Sequence, residues 1–337
     1  MEKPRYELRN QILGKGMSGE VLLAYDYDNS IEVAAKLIPK KILENQRQMD
    51  LYVNEILIST KCENENLVKV HDIEDINDDK YLIFEYCNGG DLLTALKKYR
   101  EKNGNYMEEK VVKNIITQIL NGLNCLHQNN IIHHDIKPAN ILLNYDNEED
   151  LKNLNFMKCK FKITDFGLSK NKYEIQERII AGSPLYMEPK LFEKTSDILV
   201  TENEKIDIWS IGIITYELLF GKTPFETENI INTNKAIKEL IDKLRIGKYN
   251  IKFKEREKIS QQAIAFINVC LQNDQEKRAS AEELLLSEFI TKDIENFEYV
   301  NADNIFKLFV KSDVDEDYNI LMDINDNRKM NEKLNII

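Results

Sequence analysis

The 337-residue chain is poor in several features that would mark large protein classes. Its 12 glycines and 6 prolines are too few for a collagen-like or low-complexity chain. The five cysteines, Cys62, Cys87, Cys125, Cys159 and Cys270, are odd in number, widely scattered and form no C-x-x-C pair. That argues against a disulfide framework or a thiolate zinc site and for a reducing compartment. No stretch approaches eighteen consecutive apolar residues, and Met1-Glu2-Lys3-Pro4-Arg5 leads into no apolar signal core. Neither integral membrane association nor a secretory leader is expected, and the chain reads as cytoplasmic. Positive charge is scarce as well: 46 Lys and Arg against 58 Asp and Glu give a net charge of −12. A nucleic-acid backbone demands a basic footprint, so no nucleic acid is expected as a main partner; basic peptides or proteins suit the surface better.

What is present is globular, at 42% hydrophobic and 31% charged residues. From Tyr6 to Leu37 short apolar alternations are broken by Gly14, Gly16, Gly19 and a turn cluster at Asp26–Ser30, the pattern of a strand meander. Lys41 to Lys61 reads as a helix, and strands resume around Leu67–Ile73 and Tyr81–Tyr86. After Asn88-Gly89-Gly90 the pattern turns helical, at Leu92–Lys102, at Val111–His127 and from about Asp207 onward. A β-rich segment followed by an α-rich remainder predicts two lobes joined by a short hinge. Tyr145–Asn155 is rich in Asn, Glu and Asp and reads as a solvated loop between two strands.

Four motifs carry chemistry. Leu13-Gly14-Lys15-Gly16-Met17-Ser18-Gly19-Glu20-Val21 sets glycines where backbone N–H groups can approach phosphates, and Val21 can cover a purine ring. A strand rather than a helix follows, which excludes a dinucleotide-binding βαβ unit. Lys36 ends the apolar strand Val33-Ala34-Ala35, and Glu55 on the next helix is the preferred partner for it, with Glu44 as the competing carboxylate. In His133-His134-Asp135-Ile136-Lys137-Pro138-Ala139-Asn140, Asp135 can accept a hydroxyl proton and Lys137 can steady phosphate charge. Asn140, with Asp165 of Asp165-Phe166-Gly167, can hold Mg²⁺. Asp207 is placed to accept backbone N–H bonds from the catalytic loop, or to cap its own helix.

With these motifs in order, the chain from about Tyr6 to Phe289 resembles a eukaryotic protein kinase. The resemblance implies an α+β bilobal fold: a small β-rich N-lobe with one main helix and a hinge over residues 1–87, a larger helical C-lobe over 88–291, and an acidic extension over 292–337. ATP and Mg²⁺ are implied between the lobes, with Leu13, Gly14, Lys15, Gly16, Gly19, Val21, Ala34, Lys36, Glu55, Phe84, Glu85, Cys87, Asp91 and Leu142 around the nucleotide. Phe84 would be the gatekeeper. Lys137, and Gly182-Ser183-Pro184 before Tyr186, look like the serine/threonine class, with Ser183 touching Asp135 and Lys137 and protein Ser/Thr residues as substrates. Tyr81–Leu92, Gly182–Met187 and Gly221-Lys222-Thr223-Pro224-Phe225 look like the autophagy-initiating ULK family, parts of them being shared with calcium/calmodulin-type kinases. A nucleotide-binding pseudokinase or scaffold is the competing class.

Two departures from the kinase pattern stand out. His134 replaces the usual arginine, whose planar, permanently charged fork would receive an activation-loop phosphate. Ser, Thr and Tyr are also missing between Glu174 and Ala181, and Ile179 sits near the expected regulatory threonine. Activity independent of activation-loop phosphorylation is the expectation, with Glu177 as a source of fixed charge. In Met187-Glu188-Pro189-Lys190, Lys190 stands where a glutamate normally pairs with the arginine matched by Arg278, so a like-charge contact relieved by Glu188 or Glu193 is expected.

The extension holds six Lys and Arg and eleven Asp and Glu. Asp313–Asp317 starts like a calcium loop, but Tyr318 replaces the turn glycine and Ile324 the bidentate glutamate. Tyr318 to Leu321, behind Asp315-Glu316-Asp317, resembles the aromatic-x-x-leucine segment that binds ubiquitin-like autophagy proteins by adding a strand; an acidic loop beside a helix is the plainer alternative.

Overall fold

The apolar alternations at the amino terminus pair into an antiparallel five-stranded sheet of order β1-β2-β3-β5-β4. Its strands are β1 (Tyr6–Gly16), β2 (Gly19–Asp26), β3 (Ile31–Ile38), β4 (Val70–Ile76) and β5 (Asp79–Glu85). The computed structural model describes residues 4–16, 19–38, 46–76, 79–173, 176–177, 183–192, 199–200, 203–224 and 258–301. Successive side chains of β3 face opposite sides of the sheet. Val33 and Ala35 join Tyr6, Ala24, Tyr81 and Ile83 in one apolar cluster. Ala34 and Ile38 face Tyr52, Val68, Leu82, Phe84 and Cys87 in another, and Lys36 shares their side. Helix α1 (Gln46–Lys61) supplies Tyr52 and Glu55 to that second face.

β4 begins three residues later than the alternation suggests. Leu67 and Val68 are drawn instead toward the other lobe, where Val68 N–H donates to Ile163 O at 2.9 Å and Ile163 N–H to Asn66 O at 2.8 Å. Gly19 has φ +123°, and a Cβ there would lie 2.7 Å from Leu37 O, so only glycine turns this hairpin.

The second lobe is helical. Its described helices are α2 (Leu92–Asn103), α3 (Glu109–Gln128), α4 (Glu148–Asn153), α5 (Lys205–Phe220), α6 (Gln261–Cys270), α7 (Ala281–Leu285) and α8 (Glu288–Thr291). α3 buries Val112, Ile115, Ile116, Ile119, Leu120, Leu123 and Leu126, the stripe of a helix with one apolar face. α5 is apolar all round and buries every residue from Ile206 to Phe220, as befits a helix through the middle of the lobe. Gly212 lets α6 approach: a Cβ there would stand 2.7 Å from Cys270 and Leu271. Short antiparallel pairs complete the lobe: β6 (Ile131–Ile132) with β9 (Lys170–Asn171), β7 (Ile141–Tyr145) with β8 (Cys159–Ile163), β10 (Gln176–Glu177) with β11 (Leu199–Val200), and β12 (Lys258–Ser260) with β13 (Tyr299–Asn301).

Tyr145–Asn155, expected as a loop, contains α4. Asn147 caps it by accepting the Asp150 N–H at 2.9 Å, Glu148, Glu149 and Asp150 fill the first turn, and Lys152 pairs with Glu148 at 2.8 Å. Capping and the favourable placement of acids at a helix start hold a helix with no buried face, which leaves no apolar period to read. The first ten residues of the acidic extension lie on the helical lobe: Phe297 is buried, and Lys113 Nζ donates to Lys292 O at 2.7 Å. Residues 302–337, including Asp313–Asp317 and Tyr318–Leu321, lie outside the described residues.

Candidate active site

The chemistry-bearing side chains converge where the sheet meets the helical lobe. Lys36 Nζ lies 2.9 and 2.7 Å from the two Glu55 oxygens, and both side chains are buried. Burial raises the Glu55 carboxyl above its ordinary value, with Lys36 opposing that shift and Asp165 adding to it. Two buried opposite charges need good geometry to offset desolvation, and the two-pronged contact supplies it. Glu44 lies outside the described residues.

The catalytic loop is fastened from below by Asp207. Its Oδ2 accepts the His133 N–H at 2.8 Å and lies 2.9 Å from His127 Nε2; its Oδ1 accepts the His134 N–H at 2.8 Å. Asp207 is not the cap of α5, which begins at Lys205 without a side-chain cap, so of its two expected roles the loop anchor is the one observed. Burial acts to raise the Asp207 carboxyl, but the contacts led by the hydrogen bond from His127 outweigh it and bring it below its usual value. His134 has φ +68°, a conformation disfavoured for a side chain with a Cβ and held here by its N–H bond to Asp207.

His133 is fully buried beneath the loop. Nε2 faces Thr164 O at 3.0 Å and Nδ1 accepts the Asp135 N–H at 3.2 Å, which places the proton on Nε2. Burial lowers its pKa, against the pull of Asp207 and Asp135. This neutral ring links the catalytic loop to the strand end before Asp165 and rests edge-on against Phe166, with centroids 5.6 Å apart. Its role was not singled out from sequence; two adjacent histidines before the acid were the available signal.

Above this base, Lys137 Nζ donates to Asp135 Oδ2 at 2.5 Å, and Asn140 Nδ2 to Asp135 O and Oδ2 at 2.9 Å each. Both side-chain donors fall on Oδ2, so Oδ1 is the oxygen available to a hydroxyl proton. With its amide nitrogen so engaged, Asn140 has its amide oxygen left as a ligand for a hard cation. Asp165, in a left-handed conformation at φ +65°, supplies the carboxylate. Thr164 N–H donates to Asn140 O at 3.0 Å and links the two segments. These two oxygen ligands would suit Mg²⁺, a hard cation that takes oxygen donors and would supply positive charge beside a phosphate. Among the described residues no group of three or more His, Cys, Asp or Glu forms an all-protein metal cage.

The residues expected around a nucleotide lie on β1, β2, β3, α1 and β5, at the start of the helical lobe and on β7. Leu13, Gly14, Lys15 and Gly16 end β1, and Gly19 and Val21 open β2. A Cβ on Gly14 would meet nothing within 4 Å, so that backbone faces open space. Ala34, Phe84, Cys87 and Leu142 share one apolar cluster, a surface suited to an adenine ring. Glu85 carries an ion pair unforeseen from sequence: Lys162 Nζ of β8 lies 3.0 Å from Oε1, which also accepts the Lys69 N–H at 2.7 Å. The side chain of Asp91 caps α2 through the Thr94 N–H at 2.8 Å and pairs with Thr94 Oγ1. Ser183 opens the Pro184–Tyr186 turn, and no hydrogen bond joins it to Asp135 or Lys137 among the described residues. Ile179 lies outside them, as do residues 174–175 and 178–182.

The expected Lys190–Arg278 contact is not formed. Lys190 is exposed, and Arg278 Nη1 meets Glu188 Oε2 at 2.6 Å instead. Gln275 Nε2 donates to Glu188 Oε1 at 2.5 Å, and Arg278 also donates to the carbonyls of Gln272 and Lys205.

The protein kinase domain family matches residues 7–290. Calcium-dependent protein kinase 4 of Plasmodium falciparum is 32% identical over 284 residues, covering 83% of this chain and 48% of the relative. The ovarian-specific serine/threonine-protein kinase Lok of Drosophila melanogaster is 31% identical over 289 residues, covering 83% and 56%. A probable serine/threonine-protein kinase PLK of Dictyostelium discoideum is 32% identical over 232 residues, covering 68% and 22%. The chain spans about half the length of the first of these relatives.

Proposed function

We propose that this chain, which belongs to the protein kinase family, transfers the γ-phosphoryl group of ATP to serine and threonine hydroxyls of protein substrates. The observation that carries the reading is the constellation at Asp135: an acid with one oxygen held by Lys137 and Asn140, a buried Lys36–Glu55 pair, and Asp165 beside Asn140. Phosphoryl transfer asks a protein for positioning and charge stabilisation. In this reading Asp135 Oδ1 orients the acceptor hydroxyl and takes its proton, while Lys137 sits within reach of both acid and transferring group. Lys36, fixed by Glu55, holds the α- and β-phosphates, and Ala34, Phe84, Cys87 and Leu142 exclude water around the base. Mg²⁺ held by Asn140 and Asp165 would neutralise phosphate charge as it develops. Phosphate transfer from Mg-ATP to a serine peptide, with Asp135→Asn as control, tests the reading; equal rates for the two proteins sink it in favour of a nucleotide-binding pseudokinase.

The reading extends to control. The imidazole of His134 offers a phosphate no planar, permanently charged fork, and the sequence between Glu174 and Ala181 offers no hydroxyl to phosphorylate. Activity independent of activation-loop phosphorylation follows from those two features together. Loss of activity on phosphatase treatment, with a mapped activation-loop site, would overturn it. A cytoplasmic setting rests on the scattered, unpaired pattern of the cysteines. An autophagy role rests on sequence resemblance, as does strand addition of Tyr318–Leu321 to a ubiquitin-like protein. A pull-down in which Tyr318→Ala/Leu321→Ala is retained as well as wild type removes the last of these.

A further inference from the structure

Asp207 fastens the catalytic loop from one side, and a second fastening lies on the other. The strand after Asp165-Phe166-Gly167 is β9, which pairs with β6 immediately before His133. At the end of β9, Lys172 N–H donates to Asn130 O at 2.8 Å, and Lys172 Nζ lies 2.7 Å from Glu204 Oε2. Glu204 stands three residues before Asp207 at the entry to α5. Residues 130–133, 170–172 and 204–207 therefore close a ring, in which Lys172–Glu204 is the one side-chain ion pair joining the strand to the helix entry among the described residues.

The carboxylate is built for a fixed charge. Glu204 Oε2 is buried, and its contact with Lys172 is an ion contact without hydrogen-bond alignment. Burial acts to raise the Glu204 carboxyl, yet the contact with Lys172, and after it the backbone N–H of Glu204 itself, outweigh it and hold the group below its usual range. The acid is ionised wherever the protein is folded near neutral pH.

We propose that Lys172 and Glu204 form a permanent electrostatic tether that holds the strand following Asp165-Phe166-Gly167 against the helix carrying Asp207, so that the loop bearing Asp135 stays assembled with no phosphate on the chain. The inference rests on the phosphorylation-independent reading above and names the group that makes it work. Glu204 and Lys172 are positioning residues: neither reaches the reacting atoms, and each acts through the loop between His133 and Asn140.

The test uses the full chain, phosphatase-treated and confirmed free of phosphate by mass spectrometry. Glu204→Gln and Lys172→Met should each lower kcat about tenfold, the scale of a small misplacement of a catalytic group, while KM for ATP stays within about twofold. Amide exchange at Lys170–Lys172 and Ile131–Ile132 should speed up in both. The charge-swapped Lys172→Glu/Glu204→Lys protein should recover most of the lost kcat and the slow exchange, because a pairwise coupling survives reversal. Single variants with wild-type kcat and wild-type exchange overturn the tether, and so does a swapped protein no better than either single variant. If phosphate-free wild type is itself inactive, the phosphorylation-independent reading fails, whatever the variants do. Melting temperatures of all four proteins separate loss of the tether from loss of the fold.

Discussion

Glu188 and Arg278 form a fully buried ion pair, with Oε2 and Nη1 2.6 Å apart and the two side chains 1% and 0% exposed. They lie 90 residues apart in sequence. The pair locks the segment before α5 onto the stretch between α6 and α7, and Gln275, Gln272 and Lys205 satisfy the remaining donors and acceptor. A glutamate two positions earlier than the family pattern thus meets the arginine, and the order Glu-Pro-Lys leaves Lys190 at the surface.

Removing one partner of this pair strands a buried charge. Glu188→Ala is expected to cost roughly 3–5 kcal/mol of stability in urea unfolding, the range for breaking a buried pair. Lys190→Glu, by contrast, changes an exposed side chain and should move stability by no more than about 0.5 kcal/mol. A clear rise in melting temperature for Lys190→Glu would mean that Lys190 does face Arg278 in solution.

Asp135→Asn keeps the size of the side chain and removes its basicity. Peptide phosphorylation should fall by about 10²–10⁴, the usual worth of a positioned general base, with nucleotide affinity little changed. Calorimetric titration with a non-hydrolysable ATP analogue checks the second half; parallel loss of binding would point to a structural role for Asp135.

Lys162→Met leaves the Glu85 carboxylate at the hinge with the Lys69 amide as its remaining donor. Losing one charged partner of a partly buried acceptor costs about 1 kcal/mol or more, so KM for ATP should rise roughly fivefold while kcat holds. Lys162→Arg should restore most of the affinity. An unchanged KM in the methionine variant would remove Lys162 from the nucleotide site.

Acid stability should depend on Asp26, which is buried in the sheet. Burial acts to raise its carboxyl, but hydrogen bonds from Arg5, Asn29 and the amides of Asn29 and Asp28 prevail and bring it down to about 2. A carboxyl lower in the folded than in the unfolded protein adds stability that is present above the unfolded value and is lost as pH falls through the folded one. The contribution should therefore be full above about pH 5 and fade toward pH 2. Asp26→Asn should flatten this part of the stability profile; an identical acid limb in wild type and variant would show that other groups set it.

Much of the fold could be read along the chain. The apolar stripe of α3 from Val112 to Leu126 and the alternation through Val33 and Ala35 are local periodicities, and each element follows from its own residues. The motif residues Lys36, Asp135, Lys137, Asn140 and Asp165 were named from residue type and spacing, and the structure brings Lys137 and Asn140 onto Asp135 and Lys36 onto Glu55. α4 escaped because its six residues bury nothing and are held by a cap and charges.

Sequence alone determined which groups are available and which elements carry them, because propensity and periodicity are properties of neighbouring residues. Tertiary structure decided which charge meets which. Glu188 rather than Lys190 reaches Arg278, Lys162 reaches Glu85, and Lys172 reaches Glu204, across 90, 77 and 32 residues of chain respectively. The physical reason is that an ion pair depends on separations of a few ångströms set by how whole elements pack. Shifting a carboxylate by two residues about a proline turns it from the solvent to the core.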